Sequence, residues 1–419
     1  MDSLRIAILT HATGPRGGGV HALSLGEALC ALGHEAVVHA PDPTGSGFFR
    51  NAACPVVSVA AKPVAGPASA RAGARIADYL AHFATPAACD FDVFHAQCSI
   101  SGNALATLAR RRLIPGFVRT VHSVTTVADP TLARWQDRAI IDAARLLTLS
   151  QIGALHLAAE YGVAAEVVGN GVDGAAFNPE PDSGEAALSR RLGLSSGPIF
   201  LSVGGFEPRK NTLAIIEAFA ILRRDMPHAQ LVLAGADASG DQAGGQAGGQ
   251  AGYHAGYHAR CCAALEREGL EVGPGRPVIR TGSIAQADMP GLYRLADTLV
   301  SPSLAESFGL CVLESVACGT PVVVPARAPF SEYLPPDAAL WVDPGDTGAI
   351  AAAMRASLEP ARRARLRNRA PDLLRAHGWS ACAARHLPVY AALAPEPSPA
   401  VPFATGAAAW NVLWVPPDA

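Results

Sequence analysis

Glu306 and Glu314 stand eight positions apart in Glu306-Ser307-Phe308-Gly309-Leu310-Cys311-Val312-Leu313-Glu314, separated by a glycine and a dense apolar run. The run predicts a buried helix starting near Phe308 or Gly309, with Glu306 in the loop before it and Glu314 inside it. Eight residues at the helical rise span about 12 Å. That is close to the reach from a sugar ring, across a diphosphate, to a ribose. A helix N-terminus between two hydroxyl-binding acids would offer free N–H groups to the diphosphate. On spacing alone, a core helix with one exposed acid and one N-terminal acid favoured by the dipole fits equally well.

Other residues bear on that choice. Lys62 and Lys210 are the only lysines among 33 basic residues. A compact ammonium kept inside Glu207-Pro208-Arg209-Lys210-Asn211 invites a specific role, with chance as the alternative for a single residue. The segment lies between a predicted strand and a predicted helix, where cations are unfavourable unless an anion joins them. Arg209 and Lys210 could there neutralise a diphosphate leaving group. Gly17, Gly18 and Gly19 follow the first strand and open the first helix, a place where bare backbone can approach a phosphate. The spacing is not GxGxxG, and a plain tight turn is the alternative. His95 and His122 each close a predicted strand and are expected to face the cleft, at least one of them touching a ligand. A hydrogen-bonded core histidine is the competing reading.

The elements that must position these groups alternate in type. Strands are predicted at 4–10, 35–40, 93–96, 117–121, 146–149 and 166–168. Helices are predicted at 20–32, 70–83, 102–112, 132–143 and 151–161. The pattern then restarts, with strands at 199–203, 230–234, 277–280, 298–301, 321–324 and 340–342. Its helices are at 213–224, 290–296, 310–318, 348–357 and 360–376. Two such arrays predict an α/β protein of two doubly wound Rossmann-like domains facing a cleft, with ligands outside the strand C-termini. The turn signal Asn170-Gly171 and the irregular stretch after it mark the boundary. The divisions are 1–175, 176–378, a helix at 379–393 returning to the first domain, and a Pro/Ala-rich tail at 394–419 in which Trp410 and Trp414 could dock on the body. Residues 51–67 give no usable signal. Residues 238–258 repeat Gly-Gly-Gln-Ala and then Gly-Tyr-His-Ala, with almost no aliphatic bulk, and read as a disordered insertion. Its histidines are four apart, but the glycine content argues against a metal-binding helix.

Composition narrows the function. The chain has 419 residues, half of them apolar, and a net charge of −3, which suits two cores and argues against a nucleic-acid binder. The three arginines Arg110 to Arg112 read as a solvated helix end, with a lipid-facing patch as the alternative, so peripheral membrane contact stays open. Nine scattered cysteines without a CxxC pair fit a reducing cytosol. No signal peptide is expected at the N-terminus, and no apolar run is long enough to cross a bilayer. A cytoplasmic location is expected.

Taken together, these motifs resemble the retaining GT-B glycosyltransferases of the large family-four group, which includes sucrose-, glycogen- and phosphoinositol-mannosyl-type enzymes. The resemblance rests on the Gly17-Gly18-Gly19 loop, His122, Asn170-Gly171-Val172-Asp173, the 207–211 segment and the Glu306/Glu314 pair. Pro302-Ser303, Ala317-Cys318-Gly319-Thr320-Pro321 and Gly378-Trp379-Ser380 extend it to about residues 4–392. It implies a sugar moved from a nucleotide diphosphate donor to a small-molecule, glycan or lipid acceptor, with no cofactor and no metal. By the same resemblance Glu306 would contact the donor sugar, Glu314 the ribose, and Lys210 with Arg209 the diphosphate. Gly18, Gly19, Phe308, Gly309 and Leu310 would line the donor, and His122 would sit beside the transferred sugar. The first domain would take the acceptor and the second the nucleotide sugar. Many members carry Arg where Gly205 stands here, so either Arg209 does that work or donor affinity is weaker. A non-catalytic nucleotide-sugar-binding protein on the same fold is the alternative. A nicotinamide oxidoreductase is a more distant one, because neither GxGxxG nor an acid about 20 residues later is clear after the first strand.

Overall fold

The computed structural model describes residues 3–14, 17–124, 126–235 and 251–393. The first sheet holds seven parallel strands in the order β3-β2-β1-β4-β5-β6-β7. These are β1 (Arg5–Leu9), β2 (Glu35–Asp42), β3 (Val56–Ala60), β4 (Val93–Ala96), β5 (Val118–Val121), β6 (Arg145–Thr148) and β7 (Glu166–Val167). Its crossovers are α1 (Gly17–Ala31), α2 (Ala68–His82), α3 (Ser99–Arg110), α4 (Pro130–Ile141) and α5 (Gln151–Tyr161). After α6 (Glu185–Leu192) a second parallel sheet runs β10-β9-β8-β11-β12-β13. Its strands are β8 (Ile199–Val203), β9 (Gln230–Ala234), β10 (Val278–Gly282), β11 (Thr298–Val300), β12 (Val322–Pro325) and β13 (Leu340–Val342). Around it lie α7 (Thr212–Arg223), α8 (Ala251–Arg267), α9 (Met289–Leu295), α10 (Leu310–Ala317), α11 (Phe330–Tyr333), α12 (Thr347–Ala356) and α13 (Pro360–His377). The last element among the described residues is α14 (Trp379–Ala391).

Central strands buried on both faces explain the unbroken apolar runs: Ile6, Ala7, Ile8 and Leu9 of β1 are fully buried, as are Val322, Val323 and Val324 of β12. In each sheet the strand order reverses once, between β1 and β4 and between β8 and β11. Loops leaving those four strands therefore diverge and open a crevice. They carry His11, Gln97-Cys98, 204–210 and 301–306 respectively.

Two crossings join the lobes. Val172 N–H donates to His377 O at 2.9 Å. Arg385 of α14 donates from Nε to Val168 O at 2.6 Å and from Nη1 to Ala376 O at 3.0 Å, holding both crossings together. Beyond them α14 packs back on α1, burying Ala383, Val389 and Tyr390 in the first-lobe core. On the far side, the Glu332 carboxylate of the second lobe accepts the Gln151 and Ile152 N–H groups at 2.6 and 2.9 Å. An acid there suits the positive end of α5.

Two expectations need correction. The segment at 51–67 holds β3, whose Val56 and Val57 pair with Val38 and His39 of β2. The second half of the 238–258 repeat is helical: 251–258 form the start of α8. Tyr257 anchors that turn, because it is buried and its hydroxyl accepts the Leu213 N–H at 2.9 Å. A single buried aromatic with a satisfied hydroxyl offsets the glycine propensity. Residues 236–250, and the tail with Trp410 and Trp414, lie outside the described residues. Among the described residues no helix is long and apolar enough to cross a membrane.

Candidate active site

The second lobe gathers its charge at two strand ends. After β8, Gly204 has φ 138°, and a Cβ there would come within 2.8 Å of Lys210 Cγ. Glycine thus lets the Lys210 stem lie across the turn. Residues Pro208–Lys210 form one 3-10 turn, ended by Asn211 at φ 62°. Asn211 holds that conformation by donating from Nδ2 to Pro302 O and Pro344 O at 3.1 and 2.7 Å. Leu304 N–H donates to Arg209 O at 2.8 Å, so the loop after β11 is pinned to this turn.

Pinned together, the loops bring Lys210 Nζ to 2.5 Å from Glu306 Oε1 and Arg209 Nη1 to 2.6 Å from Oε2. Ser303 Oγ adds a bond to Oε1 at 3.2 Å, and Arg209 Nε reaches Glu207 at 2.9 Å. The Glu306 side chain is 7% exposed and that of Lys210 13%, so water screens the pair little. Burial alone would raise the Glu306 carboxyl, but the Lys210 and Arg209 charges outweigh it and leave the group below its ordinary value. Burial likewise opposes the Lys210 charge, which the Cys311 sulfur and Glu306 more than restore. Cys311 is itself pushed up by burial and is a neutral thiol at neutral pH, so the carboxylate is the operative partner. The anion that permits cations ahead of α7 is thus supplied by the protein. With Glu207 the four charges cancel, and Lys210 stays ionised without a bound ligand.

Gly309 starts α10 at φ 84°, and a Cβ there would fall 2.4 Å from the Phe330 ring. The Phe308 ring turns inward and stacks on Tyr333 at 4.6 Å, so only its backbone is left to face a ligand. Leu310 and Glu314 line the cleft between the lobes. Glu314 accepts the Tyr293 hydroxyl at 2.7 Å. Burial pushes its carboxyl up to about 7, against the Tyr293 bond and the Lys210 charge, which pull down. Lys210 therefore acts electrostatically on both acids. The cleft has a volume of about 1390 Å³, and Val20, Arg50, Ala285, Leu310, Glu314 and Trp379 are on its walls.

The first lobe contributes two histidines that stay neutral. His122 Nε2 lies 2.8 Å from Gln97 Oε1, and its ring meets His21 edge-on at 4.8 Å. His21 Nδ1 in turn lies 3.2 Å from Asn170 Oδ1. Burial drives His122 well below the usual histidine range and His21 down to about 4. His95 does not face the cleft: it is fully buried, with Tyr390 OH at 2.7 Å and Thr120 Oγ1 at 2.8 Å. It ties α14 to the first sheet, the core role that competed with a ligand role. A Cβ at Gly19 would meet the Gly14 carbonyl at 2.7 Å, so the approach of that carbonyl to α1 already requires glycine there. A Cβ at Gly18 would stand 3.9 Å from both the His11 ring and the Thr10 hydroxyl.

Sequence reasoning passes over Tyr293, Gln97 and His21 as working groups. Only His21 carried a signal, standing two residues past the glycine triplet.

Residues 15–175 match the family model described as Glycosyltransferase Family 4, and residues 188–372 match that described as Glycosyl transferases group 1. The D-inositol 3-phosphate glycosyltransferase of Thermobispora bispora is 30% identical over 317 residues, covering 72% of this chain and 70% of that protein. The chain belongs to the family-four glycosyltransferases. This glycosyltransferase has the GT-B fold of its structural neighbours. Sucrose-phosphate synthase from Thermosynechococcus elongatus aligns with a TM-score of 0.72 at 22% identity, over 93% of this chain and 98% of that one. Anabaena HepE, solved in complex with UDP-glucose, aligns with a TM-score of 0.71 at 18% identity, over 93% and 100%.

Proposed function

We propose that this glycosyltransferase moves a sugar from a nucleotide diphosphate donor to its acceptor with retention at the anomeric carbon. The observation that carries the proposal is the buried contact of Lys210 and Arg209 with Glu306 at the cleft ends of β8 and β11. A charged cluster held that tightly is suited to exchanging one anion for another. When a diphosphate enters, the cations turn to it, and Glu306 is freed to accept hydrogen bonds from the donor sugar hydroxyls. α10 starts without a side-chain cap bond, which leaves first-turn N–H groups for the same diphosphate. Glu314 accepts from the ribose hydroxyls, and the bare backbone of Gly18 and Gly19 faces the donor from the first lobe. His122, kept neutral, donates or accepts a hydrogen bond beside the transferred sugar without adding charge.

Attack comes from the face the leaving group departs. The acceptor oxygen bonds to the anomeric carbon as the carbon–phosphate-oxygen bond breaks, and the departing phosphate oxygen takes the acceptor proton. Lys210, Arg209 and the helix end stabilise the charge that collects on the diphosphate. The cleft exceeds the ~300–1,000 Å³ of ordinary small-molecule pockets, leaving room for two substrates. The name of the 30%-identical relative makes an inositol phosphate the first acceptor to try.

The test is a panel of UDP- and GDP-sugars with that acceptor, product anomers being read by NMR. Transfer with retention, lost in Glu306→Gln and Lys210→Ala, is expected. Full turnover in both variants would remove these roles, and an inverted product would remove the retaining mechanism.

A further inference from the structure

Three features at the mouth of the first lobe converge on one sulfur. Cys98 occupies the cap position of α3, where its Sγ accepts the Ser101 N–H at 3.4 Å and lies 3.3 Å from the Ser101 hydroxyl. A helix N-terminus favours a negative charge there. His11, from the end of β1, is a hydrogen-bonding partner of the same sulfur. The third feature is Arg119 of β5, only 3% exposed. Its Nη1 donates to Gln136 O at 3.3 Å and its Nη2 to Ser99 Oγ at 3.1 Å, both neutral acceptors, while Nε has no partner.

A buried guanidinium without a counter-ion is strongly unfavourable, even after relaxation. Burial lowers Arg119 to about 10, and among its neighbours Cys98 is the first to pull it back up. A thiolate at Cys98 is the counter-ion that the site otherwise lacks among the described residues. Other cysteines contrast with it. Burial drives Cys54, Cys318 and Cys382 up to about 12, and raises Cys89 and Cys311 as well. Burial acts upward on Cys98 too, but His11 and Ser101 outweigh it and the thiol falls below its ordinary value.

We propose that Cys98 is a reactive thiolate, a modification site that hydroperoxides oxidise and soft electrophiles alkylate, and that modification there closes the first-lobe side of the cleft. Cys98 is half-buried as a residue, at the start of α3. Its neighbour Gln97 holds His122, and the ring of its partner His11 lies 3.9 Å from where a Cβ on Gly18 would stand. An added oxygen therefore intrudes between two groups placed beside the substrates; this consequence rests on the function proposed above. In the oxidation the thiolate attacks one peroxide oxygen. The S–O bond forms as the O–O bond breaks, and the hydroxide or alkoxide that leaves takes a proton to become water or an alcohol. Sulfur loses two electrons and the peroxide gains them. A reducing thiol reverses the step through a mixed disulfide.

The experiment is competitive labelling of the intact protein with limiting iodoacetamide at pH 7, quantified by peptide mass spectrometry. Thiolate fraction rises as the thiol acidifies while nucleophilicity falls, so Cys98 should react about five- to tenfold faster than half-buried Cys30, Cys89 and Cys262. His11→Gln and Arg119→Met should each remove that advantage. His11 is on a loop, so His11→Gln carries the test should Arg119→Met fail to fold. Peroxide should abolish transfer in step with dimedone capture at Cys98, dithiothreitol should restore it, and Cys98→Ser should keep its own untreated rate. Equal labelling of the four cysteines would overturn the thiolate. Capture at Cys98 with transfer intact would overturn the closure. Absence of any transfer before treatment would count against the proposed function and leave the labelling result standing.

Discussion

The two lobes share a strand order and carry different chemistry at their strand ends. At the strand ends of the second lobe stands a buried cluster of full charges, Lys210 and Arg209 against Glu306 and Glu207. At those of the first stands a chain of neutral rings and amides: His122 on Gln97, and His21 on Asn170. Similar βα scaffolds, differing by one edge strand, therefore do not dictate the site. The loops at each switch point do: one lobe gathers the ionised Lys210, Arg209, Glu306 and Glu207, while the other brings together the neutral rings of His122 and His21. That division suits a reaction in which charge collects on the leaving group and hardly at all on the acceptor.

The largest expected effect breaks the charged side. Lys210→Ala should lower kcat/KM by about 10³-fold, the scale of removing one group that stabilises transition-state charge. His122→Ala should lower it about tenfold, the scale of one neutral hydrogen bond. Steady-state kinetics on both variants measures the asymmetry, and equal losses would erase it. Gly309→Ala comes next and acts on stability. At φ 84° against Phe330 it should cost about 2–4 kcal/mol in urea unfolding; a silent substitution would show that the start of α10 yields.

The comparison extends to pH. His21 is lowered to about 4 and His386 to about 3, both by burial. A histidine held neutral in the fold contributes stability that is present above its unfolded value near 6.5. That stability is lost as pH falls through the folded values. Each should remove about 1.4 kcal/mol per pH unit between 6.5 and its own limit. Hydrogen exchange should show the first lobe loosening before the second on acidification. Glu314 has the opposite sign. Its folded carboxyl is raised to about 7, so the fold binds the proton more tightly than the unfolded chain does. Stability therefore falls as pH rises from about 4.5 to 7, by at most about 3 kcal/mol. Glu314→Gln should flatten that slope. It should also flatten the gain in donor affinity expected across pH 7 as the carboxylate forms. An unchanged slope would show that Glu314 titrates elsewhere.

What the sequence discloses follows the same asymmetry. Alternation and glycine punctuation place β8, β9, β13 and α5 at the residues the structure shows, because burial on a parallel sheet is written locally. The charged side is legible for a similar reason: acids at fixed spacing and a lone lysine beside an arginine are unusual in type. The neutral side is not. His95 and His122 look alike in sequence, each closing a strand. Tyr390, 295 positions away, is what makes one of them a core residue. Tyr293 under Glu314 and Arg119 beside Cys98 are likewise products of tertiary contact. β3 escaped notice because its five residues sit in a long Pro- and Ala-rich stretch. The helical half of the Tyr-His repeat escaped because a single tertiary anchor, Tyr257, holds it.

The central claim is that the charged side of the cleft holds a sugar diphosphate. Titration calorimetry of UDP-glucose, UDP-N-acetylglucosamine and GDP-mannose against the intact protein and Lys210→Ala, at one pH and salt, tests it most directly. Saturable binding of at least one donor that also raises the unfolding midpoint, weakened at least about tenfold in the folded variant, is the predicted result. Equal affinity in the two proteins would contradict it.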